Sequence, residues 1–290
     1  MKLAVFTDEV SQRPEEAVRL AVRYGLDAVE LRSVWNKPVQ HLTDVEVDDL
    51  RELLDAHELA TACLASPVFK CELEDEAARR DNLDYLRSCA RIAKRLGTNM
   101  IRVFTFWKRG PSEPVWEAVK KQFASAIPIA EQEGVILAVE NEHACYCATA
   151  AETGRLVTEL DSPVVRIVWD PANEVHAEEG ITPFPNAYEL VKSFVVHIHV
   201  KDAARNPTTN TPSLTAVGEG QIDWLSHLRA LLASDYRGYA SLETHWRAAA
   251  KPGRRGASQE DGFADSSRYA TDLCLRNFLG LLAQARRNAA

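Results

Sequence analysis

Val135-Ile136-Leu137-Ala138-Val139-Glu140-Asn141 is an apolar run of strand length that ends on a carboxylate. A strand buried in a parallel sheet reads as near-continuous Val, Ile and Leu, and a charge where it ends faces whatever the sheet encloses. The same grammar returns three times downstream. Residues 164–169 end on Asp170, residues 194–198 on His199, and residues 239–242 on Glu243. Four consecutive strands therefore each end on a residue type that ligates metals.

Upstream the alternation is equally regular. Residues 3–7 form a first apolar run; Pro14 then opens a helix with Ala17, Leu20, Ala21 and Tyr24 on its apolar face, and Gly25 stops it. Strands are expected at 28–31, 59–64 and 100–104. Helices are expected around Leu50, Leu53 and Leu54, over 75–96 with Gly97 as its cap, and over 114–133 with a kink at Pro128. Later helices are expected near 150–160, 186–192, 224–233 and 266–283. Eight strands alternating with eight helices, without a linker, predict a single α/β domain over residues 1–290, a (β/α)8 TIM barrel. The competing doubly wound sheet carries a Gly-rich phosphate loop after its first strand. Here the chain reads Thr7-Asp8-Glu9-Val10-Ser11.

Composition agrees with an ordinary globular enzyme, at 46% apolar and 26% charged residues. The net charge of −8, with no basic cluster denser than Lys251, Arg254 and Arg255, argues against a nucleic-acid footprint and for a small-molecule partner. No secretory leader or membrane span is read. The six cysteines show no disulfide spacing, so the compartment expected is the reducing cytoplasm, and the Cys145-x-Cys147 pair is read as incidental thiols. A homo-oligomer is compatible with the chain.

A barrel gathers the C-terminal ends of its strands around one mouth, so Glu140, Asp170, His199 and Glu243 are expected to converge. Three carboxylates in a partly desolvated site raise one another's pKa, and a divalent cation is the usual remedy. One imidazole with three carboxylates suits Mn, Mg, Co or Zn. Two long loops, 206–220 and 248–265, lie beyond strand ends on the same face and are candidate lids.

The chain resembles the xylose-isomerase-like TIM barrels, the sugar phosphate isomerase/epimerase family. The resemblance rests on Val139-Glu140-Asn141, Trp169-Asp170-Pro171-Ala172-Asn173, His197-Ile198-His199-Val200-Lys201-Asp202, Val217-Gly218-Glu219-Gly220 with Ile222-Asp223-Trp224, and Ser241-Leu242-Glu243-Thr244-His245. It implies one divalent metal held by Glu140, Asp170, His199 and Glu243. It also implies that Glu140 and Glu243 exchange a proton with the substrate carbon through a cis-enediolate. A metal across a carbonyl and its adjacent hydroxyl acidifies that carbon's proton, and two bases on opposite faces can remove and return it.

Arg205 matches an arginine that contacts substrate oxygens in some epimerases, and Asn173 stands where those epimerases carry a histidine. His176, one turn on, is the candidate replacement. Lys201, Arg102 and His245 are further candidates for substrate contact. His197 reads as a satisfied core histidine or a group behind His199, and Glu30 with Arg102 as an internal ion pair or a pocket wall. Asp202, Glu219 and Trp224 read as loop supports as much as ligand contacts. The function expected is isomerisation or epimerisation of a sugar, sugar phosphate or keto-polyol. Dehydration of a related substrate, or metal and carbohydrate binding without turnover, are the alternatives. Phosphodiester cleavage by a multi-metal barrel needs histidines on the early strands, whereas strands three and four end in Ala65-Ser66-Pro67 and Phe104-Thr105-Phe106.

Overall fold

The computed structural model describes residues 1–248 and 259–287, with side chains described outside 259–265. Eight parallel strands close on themselves: β1 (Lys2–Phe6), β2 (Ala28–Leu31), β3 (Ala60–Ala65), β4 (Met100–Val103), β5 (Ile136–Glu140), β6 (Val165–Trp169), β7 (Val195–Val200) and β8 (Tyr239–Leu242). Each strand pairs with its sequence neighbours, and β1 pairs with both β2 and β8, which completes the ring. The expected single TIM barrel is the observed one, and the run that ends at Glu140 is its fifth strand.

Period-two alternation sorts the strands into two environments. Val29, Leu31, Val103, Val139, Ile198 and Val200 face the helices and belong to the main hydrophobic core. The alternate residues face the barrel interior. At the N-terminal end these are small, with Ala4, Ala28 and Ala62 packed against Tyr239. Toward the C-terminal end they are Glu30, Arg102, Glu140, His197 and His199, all buried. One parity thus builds the fold and the other fills the barrel with charge.

Local signals fix the helices. Thr43 and Thr149 each form a capping box with the glutamate three residues on, Glu46 and Glu152, at the starts of helices Asp44–Asp55 and Ala150–Leu160. Thr149→Ala is expected to lose about 1 kcal/mol of stability, read as a lower midpoint in urea at unchanged slope.

Three expectations are corrected. The segment expected as one kinked helix over 114–133 is two helices, Trp116–Ala124 and Ile127–Glu133, with Pro128 in the first turn of the second, where its missing N–H costs nothing. The region expected as a helix over 186–192 is a single wide turn, Pro183–Ala187, followed by a short helix, Tyr188–Val191. The first candidate lid is a structured hairpin, Asp202–Arg205 against Pro212–Thr215. It is tied down by Asp202, whose Oδ2 accepts the N–H groups of Gly218 and Gly220 at 2.8 and 3.2 Å. Gly220 is required there, because a Cβ would collide with Asp202 Oδ1 and the Ala203 carbonyl. Trp224 Nε1 donates to the Lys201 carbonyl, so Asp202 and Trp224 hold the loop, as expected. Of the second candidate lid, 249–258 lie outside the described residues, as do Lys251, Arg254 and Arg255. The closing helix Gln259–Arg287 starts earlier than residue 266. No helix among the described residues is long and apolar enough to cross a membrane.

Candidate active site

Each of the four strand-end residues is positioned by its own backbone environment. Glu140 is the last residue of β5. The next residue, Asn141, exchanges two hydrogen bonds of 2.8 Å with the backbone of Asp170, its Oδ1 accepting from the Asp170 N–H and its Nδ2 donating to the Asp170 carbonyl. That pair ties the end of β5 to the end of β6. Asp170 caps the helix Pro171–His176: its Oδ1 accepts from the N–H groups of Ala172 and Asn173, at 2.8 and 3.1 Å, which leaves Oδ2 directed into the barrel. His199 lies inside β7, and Glu243 follows β8, paired through its N–H with the Val200 carbonyl.

The four side chains converge. One ligand-type atom from each of Glu140, Asp170, His199 and Glu243 lies within 4.8 Å of all the others, and every one of these residues is buried. His199 Nδ1 is the centre of the group, 3.2 Å from Glu140 Oε1, 3.6 Å from Glu243 Oε2 and 4.0 Å from Asp170 Oδ2.

Cations neutralise the carboxylates and bridge them. Lys201, expected to touch substrate, is buried and bridges Asp170 Oδ2 and Glu243 Oε2 at 2.7 Å each. Arg102 places Nη1 2.7 Å from Glu140 Oε2 and Nη2 on the Ala65 carbonyl. The reading of Glu30 with Arg102 as an ion pair is therefore corrected. Arg102 neutralises Glu140, whereas Glu30 reaches His197 and His199. Asn173 donates to Glu140 Oε1 at 3.1 Å and sits behind the cavity rather than in its wall.

Burial works against ionised Glu140, but His199 and Arg102 hold it well below the usual carboxylate range. Glu243 is likewise held low against its burial, by His245, Lys201, His199 and Arg32. Asp170 differs: burial, with Glu140 and Glu243 alongside, outweighs Lys201 and pushes it up to about 6. Burial lowers the His199 imidazole less than Glu140 and Glu30 raise it, to about 10. A donor set of one imidazole and three carboxylates, one still raised for want of positive charge, fits a divalent ion.

A cavity of about 470 Å³ opens over this group. Its wall includes Glu140, Glu243, Lys201, Arg102, Arg32 and His245. His245 Nε2 lies 3.2 Å from both Glu243 Oε1 and Glu9 Oε1. Arg205 is not brought to the cavity: its guanidinium donates to the carbonyls of Ala177 and Asn210, at 2.7 and 2.9 Å. His176 is turned onto the Ala172 carbonyl, with its ring beside that of His143. Cys145 and Cys147 are buried free thiols outside the cluster.

A model of the xylose isomerase-like TIM barrels matches residues 18–272. The chain belongs to that family. No curated protein matches it. Among similar solved structures, D-psicose 3-epimerase of Clostridium cellulolyticum H10, solved with D-tagatose, is 17% identical with a TM-score of 0.71, over 100% of this chain and 99% of its own. A xylose isomerase-like TIM barrel protein of Mycobacterium smegmatis in complex with magnesium is 15% identical with a TM-score of 0.67, over 96% and 97%. A probable 3-DHS dehydratase of Bacillus anthracis, AsbF, is 18% identical with a TM-score of 0.68, over 93% and 99%. At these identities the likeness is one of fold.

Beside the shared barrel, this chain carries a group that reading only the later strand ends misses. Arg32, after β2, binds Asp8 Oδ2 at 2.7 Å, Glu9 Oε1 at 2.6 Å and Glu243 Oε1 at 2.8 Å, so three carboxylates meet at one guanidinium. Asp8 and Glu9 follow β1 as Asp170 follows β6, so the same strand-end rule applied to the first half of the chain points to them. Lys70, paired with Glu142 at 3.0 Å and lying over the Phe104 ring, completes the rim.

Proposed function

We propose that the protein is a divalent-metal-dependent isomerase or epimerase of a sugar, sugar phosphate or keto-polyol, working in a reducing cytoplasm on a small carbohydrate without a nucleic-acid partner. One observation carries this reading. Two buried glutamates, Glu140 and Glu243, both face Nδ1 of His199 at the floor of one cavity, each fixed by its own arginine. Glu140, Asp170, His199 and Glu243 would hold the ion, which supplies Lewis-acid polarisation of the substrate carbonyl when bound.

The chain's own groups do the rest. Both glutamates are held ionised, as a base must be, and they approach from strands β5 and β8, on different sides of the ring. One, ionised, removes the proton from the carbon beside the carbonyl and keeps it; the other delivers a proton that it has taken up from water to the opposite face, and the first then gives its proton back to water. Lys201 and Arg102, both in the cavity wall, place positive charge where the enediolate oxygens develop. The name of the structurally similar D-psicose 3-epimerase, an epimerase of a ketose, supports the reading.

A second reading is loss of water from the same enediolate. The Lys201 ammonium in the cavity wall, placed to protonate a departing hydroxyl, and the likeness to a probable dehydratase favour it. Incubation of the Mn-loaded protein with ketoses and keto-polyols, followed by proton NMR of the products, separates the two. An epimer or isomer of unchanged mass supports the first reading, and an unsaturated product lighter by one water supports the second.

Metal uptake has a pH signature. Because His199 is raised to about 10, its ring is protonated at neutral pH and Nδ1 must lose that proton to become a ligand. Mn affinity is expected to rise between pH 6 and 8, with net proton release, measured by calorimetry in buffers of different ionisation enthalpy. Affinity independent of pH would contradict the assignment of His199 as a ligand.

A further inference from the structure

Glu30 is the carboxylate with no place in the chemistry above. It is the third residue of β2, wholly buried, and it crosses the barrel interior to β7, although β1 and β8 lie between those strands in the ring. Its Oε1 lies 3.2 Å from His199 Nε2 and its Oε2 lies 2.7 Å from His197 Nε2. Two imidazoles thus share one carboxylate, and the rings stand perpendicular, with centroids 5.3 Å apart. The opposite nitrogen of His199, Nδ1, is the one that faces Glu140, Asp170 and Glu243.

An ionised carboxylate only accepts hydrogen bonds, so the nitrogen beside it must carry a proton. A neutral imidazole has one N–H. If Glu30 keeps it on Nε2, the lone pair is on Nδ1 and points at the three carboxylates. The same contact sets the ring plane, which Phe6 supports edge-on at 5.1 Å. His197 is the second anchor: its Nε2, 2.7 Å from Oε2, is the closest partner of a carboxylate that otherwise has only His199 and the weak donor of the buried Cys63 thiol, and losing it would let the side chain turn away from His199.

We propose that Glu30 is the positioning residue that fixes the tautomer and orientation of His199, presenting Nδ1 to a divalent cation, and that His197 holds Glu30 in place. This rests on the reading of Glu140, Asp170, His199 and Glu243 as a metal site. It assigns His197, expected as a core histidine or a group behind His199, to the second of those roles, and makes Glu30 a part of the metal site that touches no metal.

Glu30→Gln tests it. The amide is nearly isosteric, but its NH2 can donate to His199 Nε2, which moves the ring proton to Nδ1 and blocks the ligand atom. Titration of purified, chelator-stripped protein with MnCl2 by calorimetry is expected to show affinity reduced roughly 10- to 100-fold in Glu30→Gln, the range for loss of such outer hydrogen bonds. Nitrogen-15 spectra of the histidines, taken with diamagnetic Zn, are expected to show His199 bound through Nδ1 in the unmodified protein, with that signature weakened or lost in the variant. His197→Leu, which removes the donor to Glu30 Oε2, is expected to give a smaller loss in the same direction, and it serves alone if Glu30→Gln does not fold. A purely structural role predicts lower thermal stability with Mn affinity unchanged, and that result in the folded variants overturns the proposal. If the unmodified protein takes up Mn tightly while His199 binds through Nε2, the tautomer assignment fails but the metal site stands. If it takes up no divalent ion at all, both fall.

Discussion

Glu140→Gln and Glu243→Gln are each expected to abolish net conversion of the substrate, by a factor of about 10²–10⁴ or more, and the variant that lacks the first-acting base also to lose exchange of the carbon-bound proton with solvent, while the protein stays folded. Each glutamate is buried in the cavity floor, and each is already held by cations that favour its ionised form. Glutamine preserves the shape and its one oxygen can still accept from Arg102 or Arg32, although the acceptor on its other side is lost, and an amide cannot take a proton from carbon. The two variants should also differ from each other. A substrate epimer that meets Glu140 first loses exchange with Glu140→Gln at the removal step, whereas Glu243→Gln stops turnover by withholding the returning proton. Partial wash-in of deuterium without epimer formation in one variant would identify which base acts first. Exchange that persists in both variants would sink the two-base mechanism.

Lys201→Met has the second-largest expected effect, and it falls on stability as well as activity. Lys201 Nζ is the cation shared by Asp170 and Glu243, 2.7 Å from each, with all three side chains buried. Burial lowers the ammonium's pKa less than Asp170, Glu243 and Glu140 raise it, so it remains charged. Removing one partner of a buried pair leaves uncompensated charge and costs about 3–5 kcal/mol. In chelator the melting temperature should therefore drop on the order of 10 °C. A divalent ion held by Asp170 and Glu243 would compete with Lys201 for their charge, so the variant should gain more from added Mn than the unmodified protein does, recovering most of the lost stability but not the activity. A variant that melts unchanged in chelator, or gains nothing extra from Mn, would show that Lys201 is not the charge that holds Asp170 and Glu243 together.

The barrel was legible because its signals are local and repeated. Each strand is an apolar run bounded by a helix stop and a polar end, and the chain has no break in the alternation. The four converging residues were legible for the same reason, since strand-end position alone places Glu140, Asp170, His199 and Glu243 at one mouth. Partners were not legible. Glu30 and Arg102 both lie in the interior, but which charge each meets depends on rotamers across the ring, and the sequence offers no register for contacts between strands that do not neighbour one another. Lys201 was readable as pointing to the site but not as buried within it. The placement of Arg205 was not legible on a different ground: it belongs to the hairpin Asp202–Arg205 with Pro212–Thr215, whose fold turns its guanidinium to the Ala177 and Asn210 carbonyls. Arg205→Ala is accordingly expected to lower stability slightly and to leave KM nearly unchanged.

The charge balance also sharpens the original argument for a metal. Three carboxylates alone would demand a cation, yet Lys201, Arg102 and Arg32 already supply much of that charge. What still favours an ion is the unequal result. Glu140 and Glu243 are held low, Asp170 is pushed up to about 6, and His199 carries a proton in the position where a ligand atom is needed. A divalent cation at that point would lower Asp170 and displace the His199 proton together.

The central claim is a metal-dependent proton transfer at carbon, and the most direct measurement of it is proton NMR of a panel of ketoses and keto-polyols incubated with the Mn-loaded protein in D2O. The account predicts loss of the signal from the proton on the carbon beside the carbonyl for at least one substrate, abolished by chelator and restored by Mn. Retention of every such proton across the panel with metal fully bound, or exchange that proceeds unchanged in chelator, would contradict it.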